Sequence, residues 1–146
     1  MKVFKGRPVV SGTCEGPALV SRKGFNTLAN LKTVGTVLNK KGICKDQNNE
    51  DIYGKTIQGK ALCLPETIGS TTGGMVLFCV ATMGYAPCCM LFSKQADTLA
   101  VSGGVLARYW SDKPFIMVDN LGDEFLNYVQ DDMNIKVYED GTVEVY

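Results

Sequence analysis

Histidine is missing altogether from this chain of 146 residues. Its absence removes the commonest general base near neutral pH, and with it the usual nitrogen ligand of zinc sites. Acid–base chemistry therefore falls to Ser, Tyr, Lys, Cys or a carboxylate, or is borrowed from another protein. An excess of charge is missing too, since fifteen basic residues balance fifteen acidic ones. Nothing in that balance points to nucleic acid or to an anionic membrane. The basic residues near the start (Lys2, Lys5, Arg7, Arg22 and Lys23) are scattered and read as solvated surface. Long apolar runs are also lacking. The strongest, Met75 to Met83, is far too short to span a bilayer, and the first residues carry no apolar signal segment. Repeats, low-complexity linkers and coiled-coil heptads are absent. The expectation is one cytoplasmic domain over residues 1–146, large enough to bury a core.

Six cysteines are present, but none forms a CxxC pair. Without that spacing, and without histidine, the sequence predicts no self-contained zinc or iron–sulfur site. Cys63 lies in a strand pattern and Cys79 in a helix pattern, so both are expected as small buried hydrophobes. Cys88 and Cys89 follow Pro87 and are expected to start a strand, pointing to opposite faces.

Short strands dominate the pattern. Val3–Val10 and Ala18–Val20 read as strands, and Thr33–Leu38 is a further candidate. Lys45–Asp51 reads as an exposed loop, and Ala61–Leu64 as the central strand. A helix is predicted from about Thr72 to Met83, apolar enough to pack on two sides, with Gly84 placed to end it. Cys88–Phe92 and Pro114–Val118 are short buried strands, while Gly103 and Gly104 leave Val101–Ala107 ambiguous between strand and helix. Gly122–Val129 has helical spacing. Ile135–Tyr138 and Thr142–Val145 alternate around an Asp-Gly turn and predict a hairpin. Many short strands with two clear helices indicate a compact β-rich α/β domain, too sparse in helices for a doubly wound dinucleotide fold.

The chemistry concentrates in Gly69-Ser70-Thr71-Thr72-Gly73-Gly74, between the central strand and the helix. There the hydroxyls stand beside the first helical N–H groups, which have no intrahelical partners. Such a turn can simply cap the helix. It can also bind a carboxylate or phosphate, or hold a serine ready for proton transfer. The Gly-Lys-Ser/Thr ending of a nucleotide loop is lacking, as is the Gly-x-Ser-x-Gly elbow of a hydrolase. A lone serine is a poor base unless preorganised dipoles and cations stabilise its alkoxide. Arg7 is the candidate anion clamp, against an ordinary structural ion pair.

Several stretches, in order along nearly the whole chain, resemble the swivel-domain proteins of the aconitase X family. They are Phe4-Lys5-Gly6-Arg7, Glu15–Val20, Gly54–Pro65, Gly69-Ser70-Thr71 before a helix, Gly84-Tyr85-Ala86-Pro87 followed by a strand and Asp97, and Gly103–Ala107. The resemblance implies a β/β/α swivelling domain similar to the mobile terminal domain of aconitase. It also implies a hydro-lyase in which a large subunit works with a small swivel subunit. On that pattern Ser70 is the proton acceptor, and the residue chemistry above adds Gly69, Thr71, Thr72 and Arg7 as candidate substrate-binding residues. The cofactor expectation is that this chain binds none, any iron–sulfur cluster or metal sitting in the large subunit. The expected substrate is a small hydroxy acid, with cis-3-hydroxy-L-proline placed ahead of (R)-5-phosphomevalonate. Two segments depart from the family. Phe25–Leu31 lacks the paired glycines usual there, and Asn48–Ile52 replaces an Asp-x-x-His-Pro stretch. These departures leave room for a non-catalytic or anion-binding swivel domain as the alternative.

Overall fold

A computed structural model of the chain describes residues 1–31, 42–69 and 71–146. Among them are ten strands and four helices. The first predicted strand is two, β1 (Lys2–Lys5) and β2 (Arg7–Val10), broken at Gly6. They are followed by β3 (Cys14–Val20), β4 (Phe25–Asn26), α1 (Thr27–Leu31), β5 (Ala61–Leu64), β6 (Thr67–Ile68) and α2 (Gly73–Thr82). Next come β7 (Cys89–Phe92), α3 (Thr98–Trp110), β8 (Ile116–Asp119), α4 (Asp123–Tyr128), β9 (Asn134–Val137) and β10 (Thr142–Val145).

Eight strands form one sheet in the order β1-β10-β9-β3-β5-β7-β8-β2. The run β3-β5-β7-β8 is parallel, and the strands on either side are antiparallel. The edge strands β1 and β2 are consecutive in sequence, so the sheet curls until its edges meet at Gly6. A Cβ on Gly6 would lie 2.6 Å from the Asp119 carbonyl oxygen, which is why the seam needs glycine. The hairpin turn closes on the same point, with the Gly6 N–H donating to the Gly141 carbonyl at 2.9 Å.

Curling produces three layers. Leu62, Leu64, Met90 and Phe92 face α2 and α3 together with Leu77, Val80 and Ala107. Ala61, Cys63, Cys89 and Leu91 face the antiparallel strands, packed with Phe4, Phe125, Ile135 and Val143. Strands buried on both faces read as continuous apolar runs, as Ala61–Leu64 does. The expected β/β/α arrangement is therefore present, the hairpin falls where the alternation put it, and the central strand spans Ala61–Leu64 as expected.

Several expectations are corrected. Val101–Ala107 belongs to a thirteen-residue helix, α3, whose glycines are contact points rather than breaks. The second helix is buried on one face only: Leu77, Val80 and Ala81 are covered, while Met75 is 56% exposed. Cys79 lies on its open side and is exposed, not buried. Gly84 does end α2, at φ 84°, with the Tyr85 N–H reaching back to the Val80 carbonyl. The 45–51 loop is not wholly exposed, because Asn49 is buried and donates to Ser21 Oγ at 2.8 Å. The candidate strand Thr33–Leu38 lies outside the described residues.

Candidate active site

The Gly69–Thr72 turn lies beyond the C-terminal end of β5, where parallel strands leave a crevice for ligands. Strand β6 leads into it, held by parallel pairing of Thr67 and Ile68 with Phe25 and Asn26. Gly69 has φ 100°, a left-handed conformation open to glycine. It also has no room for a side chain, since a Cβ there would lie 2.6 Å from Asn26 Oδ1. Asn26 is fixed in turn by accepting the Ala29 N–H at 3.1 Å. Position 69 is thus restricted to glycine by both backbone conformation and space.

Beyond the turn, Thr72 occupies the cap position of α2 with no side-chain cap hydrogen bond, and no acidic residue stands in the first turn. The positive end of this helix dipole faces the turn without a carboxylate of its own helix to offset it. Helix α3 begins beside it. Asp97 caps α3 by accepting the Ala100 N–H at 3.0 Å, and its other oxygen accepts the Thr67 hydroxyl. One carboxylate so ties the strand before the turn to the start of the neighbouring helix.

A cavity of about 180 Å³ opens between these elements, lined by Thr27, Thr67 and Gly69 on one side and Gly73, Asp97 and Thr98 on the other. The N-termini of two helices, α2 and α3, therefore meet at one small cavity. Next to it runs a wider groove of about 800 Å³, floored by α3 and edged by Arg7 and Gln95. Thr98 lines both.

Of the residues singled out from sequence, Gly69 lines the cavity, and Thr71 and Thr72 are exposed beside it. Ser70, the expected proton acceptor, lies outside the described residues. Arg7 is in the adjoining groove. Its Nε and Nη2 bond both oxygens of the fully buried Asp119, at 2.9 and 2.6 Å. Hydrogen bonding and charge from Asp119 push the guanidinium pKa still higher. Asp119 also accepts the Ala96 N–H at 2.8 Å. Arg7 is therefore anchored structurally by Asp119 at the edge of the groove that it lines. Sequence reading missed Thr67, Asn26 and the joint role of Asp97. The signal for Asp97 was available, because Asp before Thr98-Leu99-Ala100 is a helix-start pattern. It was masked by Gly103 and Gly104.

Residues 3–145 match the family model described as the aconitase X swivel domain. A curated relative from Aeropyrum pernix, named phosphomevalonate dehydratase small subunit, is 30% identical over 97% of this chain and 92% of its own. A relative of the same name from Thermococcus kodakarensis is 33% identical over 97% of this chain and 95% of its own. The crystal structure of Thermococcus kodakaraensis aconitase X in its holo form superposes with a TM-score of 0.84 at 28% identity, covering 100% of this chain and 99% of that one.

Proposed function

The chain belongs to the aconitase X swivel-domain family, and from that membership we propose that it is the small subunit of a hydro-lyase that dehydrates (R)-5-phosphomevalonate. The observation that carries the reading is the full-length likeness to phosphomevalonate dehydratase small subunits. It reverses the order expected from sequence, in which cis-3-hydroxy-L-proline came first. The local chemistry supports the same substrate. Phosphomevalonate carries a carboxylate and a phosphate, and the cavity meets two helix N-termini with Arg7 in the adjoining groove.

On this reading a large subunit closes over the Gly69–Thr72 turn and supplies the remaining substrate contacts. Closure excludes water and aligns the reacting groups. Ser70 takes the proton next to the carboxylate. The electrons of that C–H bond form the carbon–carbon double bond, and the neighbouring hydroxyl departs as water after protonation by a group of the large subunit. N–H groups at the start of α2 stabilise the negative charge on the serine oxygen and the carboxylate. Where the enzyme uses an iron–sulfur cluster or metal, the large subunit holds it. The cavity described above offers one carboxylate, Asp97, already bonded to Thr67 and Ala100, and no thiol.

The test is turnover by the chain co-purified with its large subunit, on (R)-5-phosphomevalonate and on cis-3-hydroxy-L-proline. Turnover of the phosphorylated substrate is expected, with Ser70→Ala lowering it by about 10²–10⁴-fold while the complex still assembles. Unchanged turnover in S70A would remove the serine as base. Turnover of hydroxyproline alone would restore the first-expected substrate, and none from an intact complex would favour the non-catalytic alternative.

A further inference from the structure

Three cysteines far apart in sequence meet at one end of the sheet. Cys14 opens β3, Cys89 opens β7 and Cys88 immediately precedes it, and their sulfurs all lie within 4.8 Å of one another. The Cys88 and Cys89 sulfurs are 3.9 Å apart, so these neighbours do not diverge to opposite faces as expected. The reason is that β7 begins only at Cys89. The Cys88 backbone is turned by its own N–H bond to the Lys60 carbonyl at 2.9 Å. Gly16 makes the space: a Cβ there would lie 3.1 Å from Cys88 Sγ. Gly16 and Cys14 share one face of β3 at a two-residue spacing, so the Cys88 sulfur is seated beside Cys14. The group lies at the N-terminal ends of the parallel strands, whereas the Gly69–Thr72 turn lies at their C-terminal ends.

We propose that Cys14, Cys88 and Cys89 form a three-thiolate binding site for one soft, thiophilic d10 metal ion. A metal with sulfur ligands at about 2.3 Å holds them roughly 3.8–4.0 Å apart, and the cluster is within an ångström of that spacing. The donors select the class, because three sulfurs without nitrogen or carboxylate favour Cu(I) or Zn(II) over hard cations. Among the described residues no histidine, carboxylate or further thiol joins the group, and residues 32–41 and 70 contain none. Three-coordinate Cu(I) is completed by the chain alone, while Zn(II) adds a water. Cys89 is buried, and Cys14 and Cys88 are half-buried, which leaves an entry path on one side. Binding sends the thiol protons to solvent, and no electrons move.

The full chain, reduced and anaerobic, is titrated with Cu(I) against a competing chelator and separately with Cd(II), whose sulfur charge-transfer band reports thiolate ligation. One ion per chain is expected. Cys14→Ser and Cys88→Ser should each weaken binding by about 100-fold or more, and the exposed Cys79→Ser should leave it unchanged. X-ray absorption of the loaded wild-type chain should show three sulfur neighbours at about 2.3 Å, a readout that needs no variant to fold. Lack of saturable binding, fewer than three sulfurs, or binding that survives C88S would overturn the site. So would a disulfide among these three cysteines recovered from cells lysed into an alkylating agent.

Discussion

Gly74 and Gly103 bring two helices into backbone contact. A Cβ on Gly103 would lie 2.6 Å from the Gly74 carbonyl oxygen, and one on Gly74 would lie 2.5 Å from the Leu99 carbonyl oxygen. This crossing sets where the start of α2 stands relative to the start of α3. Gly103→Ala must push the helices apart, an overpacking cost of about 1–3 kcal/mol. Better helix propensity offsets about 1 kcal/mol of it. The expected result is a modest loss in urea denaturation with at least a tenfold fall in turnover of the assembled complex. Full turnover in this variant would show that the spacing of α2 and α3 does not position the turn.

Gly69 faces two constraints that can be separated. Its φ of 100° disfavours any side chain, and Asn26 occupies the space a Cβ would need. Gly69→Ala is expected to lose about 1–3 kcal/mol through backbone strain, with a larger effect on turnover than on stability. Adding Asn26→Ala supplies room but leaves the strain, so the double variant should regain only part of the loss. Complete recovery would assign the whole effect to the Asn26 contact.

Legibility in the sequence followed the range of the interactions. The β9–β10 hairpin was readable because alternation and the Asp-Gly turn are local, and β5 because a strand buried on both faces is apolar throughout. Helix α3 was obscured because Gly103 and Gly104 look like breaks until their neighbours are known. In the structure they touch Gly74 and Met117. Cys79 was misplaced because apolar content does not say which face of α2 is covered. The Thr67–Asp97 bond joins residues thirty apart, and the cysteine cluster joins β3 to β7. Contacts of that kind depend on the topology of the sheet, which no local spacing encodes.

Acid should loosen the seam where β1 meets the hairpin. Asp140 is held down to about 2, first by the Thr142 hydroxyl and then by Lys5, whose Nζ lies 3.0 Å away. An unfolded aspartate titrates near pH 3.9. Because the folded value is the lower one, Asp140 contributes stability above about pH 4, and that contribution fades as pH falls toward 2. A carboxyl NMR titration should place its midpoint near pH 2, and Asp140→Asn should remove this part of the acid dependence. A midpoint near the unfolded value would show that the turn does not hold the carboxylate.

Asp97 joins a structural role to a positioning one, and the two can be told apart. One oxygen caps α3 through Ala100 and the other accepts the Thr67 hydroxyl. Asp97→Ala removes both and should cost about 1–2 kcal/mol through the lost cap. Asp97→Asn keeps an acceptor for the cap, so stability should fall less. The contact with Thr67 is altered all the same, and turnover should drop, as it should in Thr67→Val. If the pair acts as one unit that holds the strand before the turn, combining D97N with T67V adds little beyond either alone. The coupling expected for groups in direct contact is about 0.5–3 kcal/mol. Independent, additive losses in turnover would show that the two residues reach the site separately and that the bond between them does not position the turn.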